Sequence, residues 1–194
     1  VCASNINPVG QQIDHFELSY AANALTCNPQ PVTIRACLNS SCSSLYTNPV
    51  SVTLKPANYW TATAPATVSG STITFSGGTA LAQLRVPTAS SVTLEVQASL
   101  PSTRPNSQTL CSSAGCEIDY AASGLLLQVP NLLAAKPPPA SISAVRASDN
   151  ALQCVPAFAD VDRQVQFTAT HVDPAAGSES VLVNGSSVGS SASS

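Results

Sequence analysis

Hydrophobic positions alternate most clearly across residues 31–56, PVTIRACLNSSCSSLYTNPVSVTLKP. Val32, Ile34, Ala36 and Leu38 alternate with Thr33, Arg35 and Cys37, and a second run follows at Val50, Val52 and Leu54. A period of two on each side of a Ser-rich connector predicts neighbouring strands with one buried face. Further strands are predicted over 14–20, with Phe16 and Leu18 inward, and over 71–76, with Ile73 and Phe75 inward. Two more follow over 80–86 (Ala82, Leu84, Val86) and 92–98 (Val92, Leu94, Val96), punctuated by Gly70, Gly77, Gly78 and Pro87. Six or seven short strands within about ninety residues are the spacing of a two-layered sandwich.

A second series runs through 117–120, 125–129, 142–146, 165–170 and 181–183. A Pro-, Ser- and Asn-rich stretch over 100–115 separates the two series, and KPPPAS at 136–141 is too proline-rich for a central strand. The boundary falls near 101 or near 138, and the first is preferred. The expectation is therefore an all-β chain of two tandem sandwich modules, 1–100 and 101–194, ending in a flexible, Ser-rich, low-complexity tail from Asn184. The second series is short of strands for a closed sandwich, so that module is truncated, incomplete, or completed by a strand from elsewhere.

Composition narrows the picture. The 194 residues are 44% hydrophobic but only 9% charged and 5% aromatic. The core must then be aliphatic, and the polar surface must come from Ser, Thr, Asn and Gln, short residues suited to pleats and turns. A net charge of −3, with Lys55 and Lys136 the only lysines, offers no positive field for a phosphate backbone and argues against nucleic-acid binding. The longest apolar run, 124–135, is interrupted by Gln128, Pro130 and Asn131 and is too short to span a membrane. The chain begins at Val and contains no Met, which suggests a mature product or excised fragment whose export signal has been removed.

Seven cysteines are present. Cys37 and Cys42, like Cys111 and Cys116, flank four residues of a Ser-, Gly- or Asn-rich loop and read as local disulfides in an oxidising compartment. A four-thiolate zinc site is the competing reading of these two pairs. Of the remaining three, Cys27 and Cys154 each sit beside a Pro-containing turn and form the preferred third bridge, which leaves Cys2 free or bonded outside the chain. Cys2–Cys27 is the alternative pairing.

Candidate chemistry is sparse. GSSVG at 185–189 matches a nucleophile elbow formally, but such an elbow needs a strand before it and a helix after it. His15 and His171, with Asp14 and Asp173 beside them, offer His–acid pairs, though partly exposed strand histidines are the plainer reading. Asp160 and Asp162 in FADVDRQ are weak calcium candidates, and Tyr59 and Trp60 are candidates for stacking on a glycan. If 56–65 is a strand, at most one of that aromatic pair faces solvent, and Trp60 is expected in the core or at a sheet edge. Asn39 and Asn184 lie in N-x-S sequons that mark surface loops, and Lys55 is a weak candidate for a side-chain amide cross-link. No catalytic set and no cofactor site emerge.

The ordered segments DHFELSY, ALTCNPQPVTIRACLNSSCSSLYTNPVSVTLKP, TITFSGGTA, SVTLEVQAS, CEIDYAASGLLLQVPN, ISAVRASDNALQCVPAF and VQFTATHVDPAAGSESVLVNG carry a family likeness. From residue 14 to 185 the chain resembles MSHA pilus biogenesis proteins of the MshQ type, large exported proteins of Gram-negative bacteria. The first half is also similar in pattern to the bacterial immunoglobulin-like repeats of invasin-type adhesins. Relatives often carry a cysteine near the position of Ala135, which this chain lacks, and that departure bears on the partner of Cys154.

The resemblance implies two immunoglobulin-like β-sandwich modules at the cell surface, with a non-catalytic structural or adhesive role in a type IV pilus system. Pilus or surface proteins would be the partners. Alternatives are a self-assembling filament subunit that accepts a neighbour's strand, and a carbohydrate-binding module using Tyr59 or Trp60.

Overall fold

The alternation around Val32 and Ile34 builds the middle of the largest sheet. In the computed structural model, which describes residues 10–129, 141–148, 153–158, 164–169, 182–183 and 186–190, the chain divides into two units, Val1–Phe158 and Ala159–Ser194. Both are all-β among the described residues, apart from a single 3-10 turn at Ala114–Cys116.

The first unit opens with β1 (His15–Ser19), β2 (Asn23–Leu25), β3 (Gln30–Cys37), β4 (Val50–Lys55) and β5 (Trp60–Ala62). It continues through β6 (Thr67–Ser69), β7 (Thr72–Phe75), β8 (Thr79–Leu84), β9 (Ser90–Thr93) and β10 (Glu95–Leu100). The last five are β11 (Leu110–Cys111), β12 (Glu117–Ala121), β13 (Ser123–Gln128), β14 (Ser141–Ala147) and β15 (Cys154–Pro156). A five-stranded sheet runs β11-β1-β3-β8-β5, and a four-stranded sheet runs β10-β4-β7-β6. Two three-stranded sheets, β2-β12-β9 and β13-β14-β15, complete the unit, so strands on both sides of residue 101 share sheets.

The core is aliphatic and lies between the inner faces. Val32, Ile34 and Ala36 from β3, with Phe16 and Leu18 from β1, meet Val50, Val52 and Leu54 from β4 and Ile73 and Phe75 from β7 in one buried cluster. Ala82 and Leu84 of β8 join them, as do Leu94, Ile118 and Tyr120. This is the two-layered arrangement in which alternate residues of each strand interdigitate between sheets, and it is consistent with immunoglobulin-like β-sandwich modules. On the outer face of the four-stranded sheet, hydroxyls pair across strands, Ser51 with Thr74 at 2.8 Å and Thr53 with Thr72 at 3.1 Å. Such cross-strand pairs supply the polar surface that charged residues supply elsewhere.

Two local features differ from expectation. The single strand predicted over 92–98 is two strands in different sheets: β9 pairs with β12 and β10 with β4. The break falls at Leu94, whose side chain is buried and whose N–H bonds the Cys116 carbonyl at 2.7 Å. Residues 21–30, where the pattern predicts no strand, also contain a short parallel strand, β2, against β12. Gly78 explains a tight corner ahead of β8. It has φ +80°, and a Cβ there would stand 2.5 Å from Leu45 Cβ, so a side chain is excluded by conformation and by space.

The second unit contains β16 (Thr168–Ala169), β17 (Leu182–Val183), β18 (Ser186–Ser187) and β19 (Gly189–Ser190). β16 pairs parallel with β19, and β17 antiparallel with β18. Among the described residues no helix is long and apolar enough to cross a membrane.

Removing the fully buried Leu54 side chain tests the core directly. Leu54→Ala should cost about 2–5 kcal/mol in urea unfolding, and a loss below ~1 kcal/mol would place Leu54 outside it. Tyr120 supplies a second test, because its O–H donates to the Leu84 carbonyl at 3.2 Å and burial pushes the phenol well above its ordinary range. A raised folded pKa favours the neutral form in the native state, so this stabilisation is full below about pH 10, where a free phenol ionises, and is lost as pH rises beyond it. Urea titrations from pH 8 to 11 should show stability falling at the alkaline end, and Tyr120→Phe should flatten that fall.

Candidate functional site

The best-formed polar cluster lies on the face of β1 and β3 opposite the core. Antiparallel pairing sets His15 opposite Cys37 and Glu17 opposite Arg35, so these four share a face while Phe16, Leu18, Ile34 and Ala36 take the other. Two segments from outside the pair cover this second face. The loop after β3 folds back through Cys42 N–H to the Asn39 carbonyl at 3.0 Å and Leu38 N–H to the Ser44 carbonyl at 2.9 Å. From the other side Thr103 bridges to Ile13, and Arg104 N–H bonds the Ile13 carbonyl at 2.9 Å. His15 is consequently buried, at 5% exposure, rather than partly exposed as its position on an outer face predicts.

Charges run through the cluster in an unbroken order. Arg104 Nη1 lies 2.5 Å from Asp14 Oδ1, and Asp14 Oδ2 lies 3.0 Å from His15 Nδ1. His15 Nε2 faces Glu17 Oε1 at 3.6 Å, and Glu17 Oε2 accepts from Arg35 Nη1 at 2.9 Å. Arg35 Nη2 then donates to the Cys42 carbonyl at 2.8 Å, tying the array to the clip loop. Ionised Asp14 can only accept, so Nδ1 carries the hydrogen of that bond. His15 Nε2 is buried without a hydrogen-bond partner. Beside the array lies a concavity of about 370 Å³ lined by Asp14, His15, Ser40, Arg104 and neighbours.

Six of the seven cysteines are joined as three disulfides. Cys37–Cys42 and Cys111–Cys116 are local clips, and Cys27–Cys154 spans 127 positions, tying the loop between β2 and β3 to β15. Both clips close on a left-handed residue, Cys42 at φ 50° and Cys116 at φ 57°, a conformation that a tight cross-linked loop imposes on a non-glycine residue. The Asn39 carboxamide braces the first clip, its Oδ1 accepting from Ser43 N–H at 3.0 Å and its Nδ2 donating to Ser43 Oγ at 2.8 Å. With both sulfurs of each clip bonded together, a shared four-thiolate zinc site is not formed.

Other candidates are dispersed. Trp60 is buried at 5% exposure, its indole N–H donating to the Pro56 carbonyl at 2.8 Å, while Tyr59 is 53% exposed. Only Tyr59 of that pair presents its ring to solvent. Lys55 Nζ sits 2.6 Å from Glu95 Oε2 in a half-exposed ion pair, a type worth about 0–1 kcal/mol. Ser186–Ser187 of GSSVG is strand β18, and no helix follows it among the described residues. Cys2, Asp160, Asp162, His171, Asp173 and Asn184 lie outside the described residues.

Glu17, Arg35 and Arg104 were not singled out from the sequence. Matching parity of His15 and Glu17 on one strand with Arg35 and Cys37 on the next carries a signal for the first two. Arg104 carries none, since its approach depends on a connector about ninety residues further along.

In the chain-entropy model the short clips each contribute roughly 2 kcal/mol and the long bridge roughly 5 kcal/mol. The paired variant Cys27→Ala/Cys154→Ala should therefore lose more stability in urea than Cys37→Ala/Cys42→Ala. Equal losses, or no loss from the long-range pair, would contradict the assigned closure.

Two family models match the chain. Residues 13–102 match a domain of unknown function, DUF8613, and residues 107–194 match the first Ig-like domain of a second domain of unknown function, DUF6701. Comparison with curated proteins and with solved structures gave no match. The second family match and the strand-rich sheets agree in giving this chain similarity to immunoglobulin-like domains, an architecture that fits a structural or adhesive role.

Proposed function

We propose that the chain is an extracellular, non-catalytic structural or adhesive component of a bacterial type IV pilus system of the MSHA kind. The observation that carries this reading is the combination of three disulfides with an aliphatic sandwich of immunoglobulin-like type. Disulfides persist in oxidising compartments, and a sandwich clipped at its loops resists being opened by force. The hydroxyl-rich outer face of the β10-β4-β7-β6 sheet, whose strands carry a single pair of opposite charges, Lys55 and Glu95, suits a part that works as a spacer or presenter rather than as a centre of reaction. The ordered resemblance to MshQ-type proteins is what supports the pilus part of this reading.

A second reading, self-assembly into a surface filament, is favoured by one feature of the β13-β14-β15 sheet. Leu127 lies opposite Ile142 with Leu125 two residues along on the same face, and the three are 54%, 40% and 55% exposed. Partners in either case are pilus or surface proteins.

The test is to label the protein on intact source cells and to recover it with sheared pili. Surface labelling, co-recovery with pili and reduced adherence on deletion are expected. A cytoplasmic pool with free thiols would overturn the first reading. Sedimentation that is independent of concentration from 1 to 100 μM would overturn the second.

A further inference from the structure

The cluster on β1 and β3 also holds the donors of a metal site, masked by a bond between two of them. One ligand atom from each of His15, Glu17, Cys37 and Cys42 lies within 4.8 Å of the others. Cys37 and Cys42 are 0% and 2% exposed and His15 5%. The histidine is already oriented as a ligand. Its Nδ1–H is held by the Asp14 carboxylate at 3.0 Å, the outer-sphere contact that fixes the tautomer of metal-bound histidines. That leaves the Nε2 lone pair, buried and without a partner, aimed at the Glu17 carboxylate oxygen 3.6 Å away. When His15 is neutral, two acceptors face each other there, and a metal ion in place of the ring's second proton would complete the arrangement. Arg35 neutralises the other oxygen of Glu17, so a single carboxylate oxygen remains to bind.

We infer that reduction of the Cys37–Cys42 disulfide converts this cluster into a zinc-type site with two thiolates, His15 Nε2 and Glu17 Oε1 as ligands. Four donors of sulfur, nitrogen and oxygen type suit a tetrahedral borderline-soft ion. The reductant is a phosphine or a dithiol. With a phosphine, the sulfur–sulfur bond breaks, each sulfur gains one electron and one proton, and phosphorus is oxidised to the phosphine oxide with oxygen from water. The divalent ion then displaces both thiol protons and forms two bonds to sulfur, one to nitrogen and one to oxygen. Metal would thereby replace the covalent clip, holding the end of β3 to its loop in either redox state. The disulfide itself is buried, so a reductant reaches it when the short loop that carries the exposed Ser40, Ser41, Ser43 and Ser44 opens. This differs from a four-thiolate site in using one cysteine pair together with β1.

Cobalt(II) is the probe, because its thiolate charge-transfer and tetrahedral d–d bands report ligand type. The full chain, reduced with a phosphine under anaerobic conditions, should bind one cobalt per chain with both band sets, and zinc should displace it. The oxidised chain should give neither band. Cys111→Ser/Cys116→Ser should retain the spectrum after reduction, whereas Cys37→Ser/Cys42→Ser should lose it. His15→Gln and Glu17→Gln should each weaken cobalt binding at least tenfold, with circular dichroism recorded alongside. If reduction unfolds the chain, cobalt should restore the strand spectrum. Absence of tetrahedral bands in the reduced chain overturns the inference. So does cobalt binding unchanged by His15→Gln and Glu17→Gln, which would assign the bands to thiolates alone.

Discussion

The register of β3 is the constraint on which the rest of the structure depends. Val32, Ile34 and Ala36 are buried in the core while Thr33 and Arg35 face the other way, flanked by β1 on one side and β8 on the other. A slip of one residue would exchange these two sets, moving a guanidinium into an aliphatic core and three apolar side chains out of it. The same register carries Arg35 to Glu17 and Cys37 to His15. Core and polar cluster are thus two faces of one pairing. The Cys37–Cys42 clip closes immediately after the strand and holds its end in place.

This coupling explains how the molecule manages with so few aromatic and charged residues. Interdigitation of Val, Leu, Ile and Ala between two sheets fills the core without large rings. Cross-links and short hydroxyl pairs stabilise what a thin core cannot stabilise alone. The long bridge from Cys27 to Cys154 adds what local packing does not, a tie from the N-terminal sheets to β15. A part built this way favours persistence over motion, in keeping with a role in holding or presenting.

Much of the fold was legible in the sequence, for a physical reason. Where one sheet face is buried, side-chain alternation is enforced at every position, so 32–38, 50–54, 71–76 and 80–86 announce themselves. The short clips were legible because their spacing permits closure within one loop, and the Cys27–Cys154 pairing seen in the structure is the one preferred from their turn contexts. The short strands β2, β5, β6 and β11 left little trace, since two or three residues do not establish a period. The change of sheet at Leu94 was hidden because both strands continue the same parity through it. The polar cluster was legible only in part. His15 reads as an outer-face residue, and its burial comes from the 103–104 segment and the clip loop, whose arrival is a property of topology rather than of local pattern.

Nuclear Overhauser contacts across β3 measure its register most directly. In the oxidised protein Phe16 should contact Ala36, Glu17 should contact Arg35, and Ile34 should contact Ala80, each as a directly opposed pair. Contacts displaced by one residue, such as Phe16 with Arg35 together with Ile34 with Thr79, would place the alternation on the wrong faces and contradict both the core and the cluster described above.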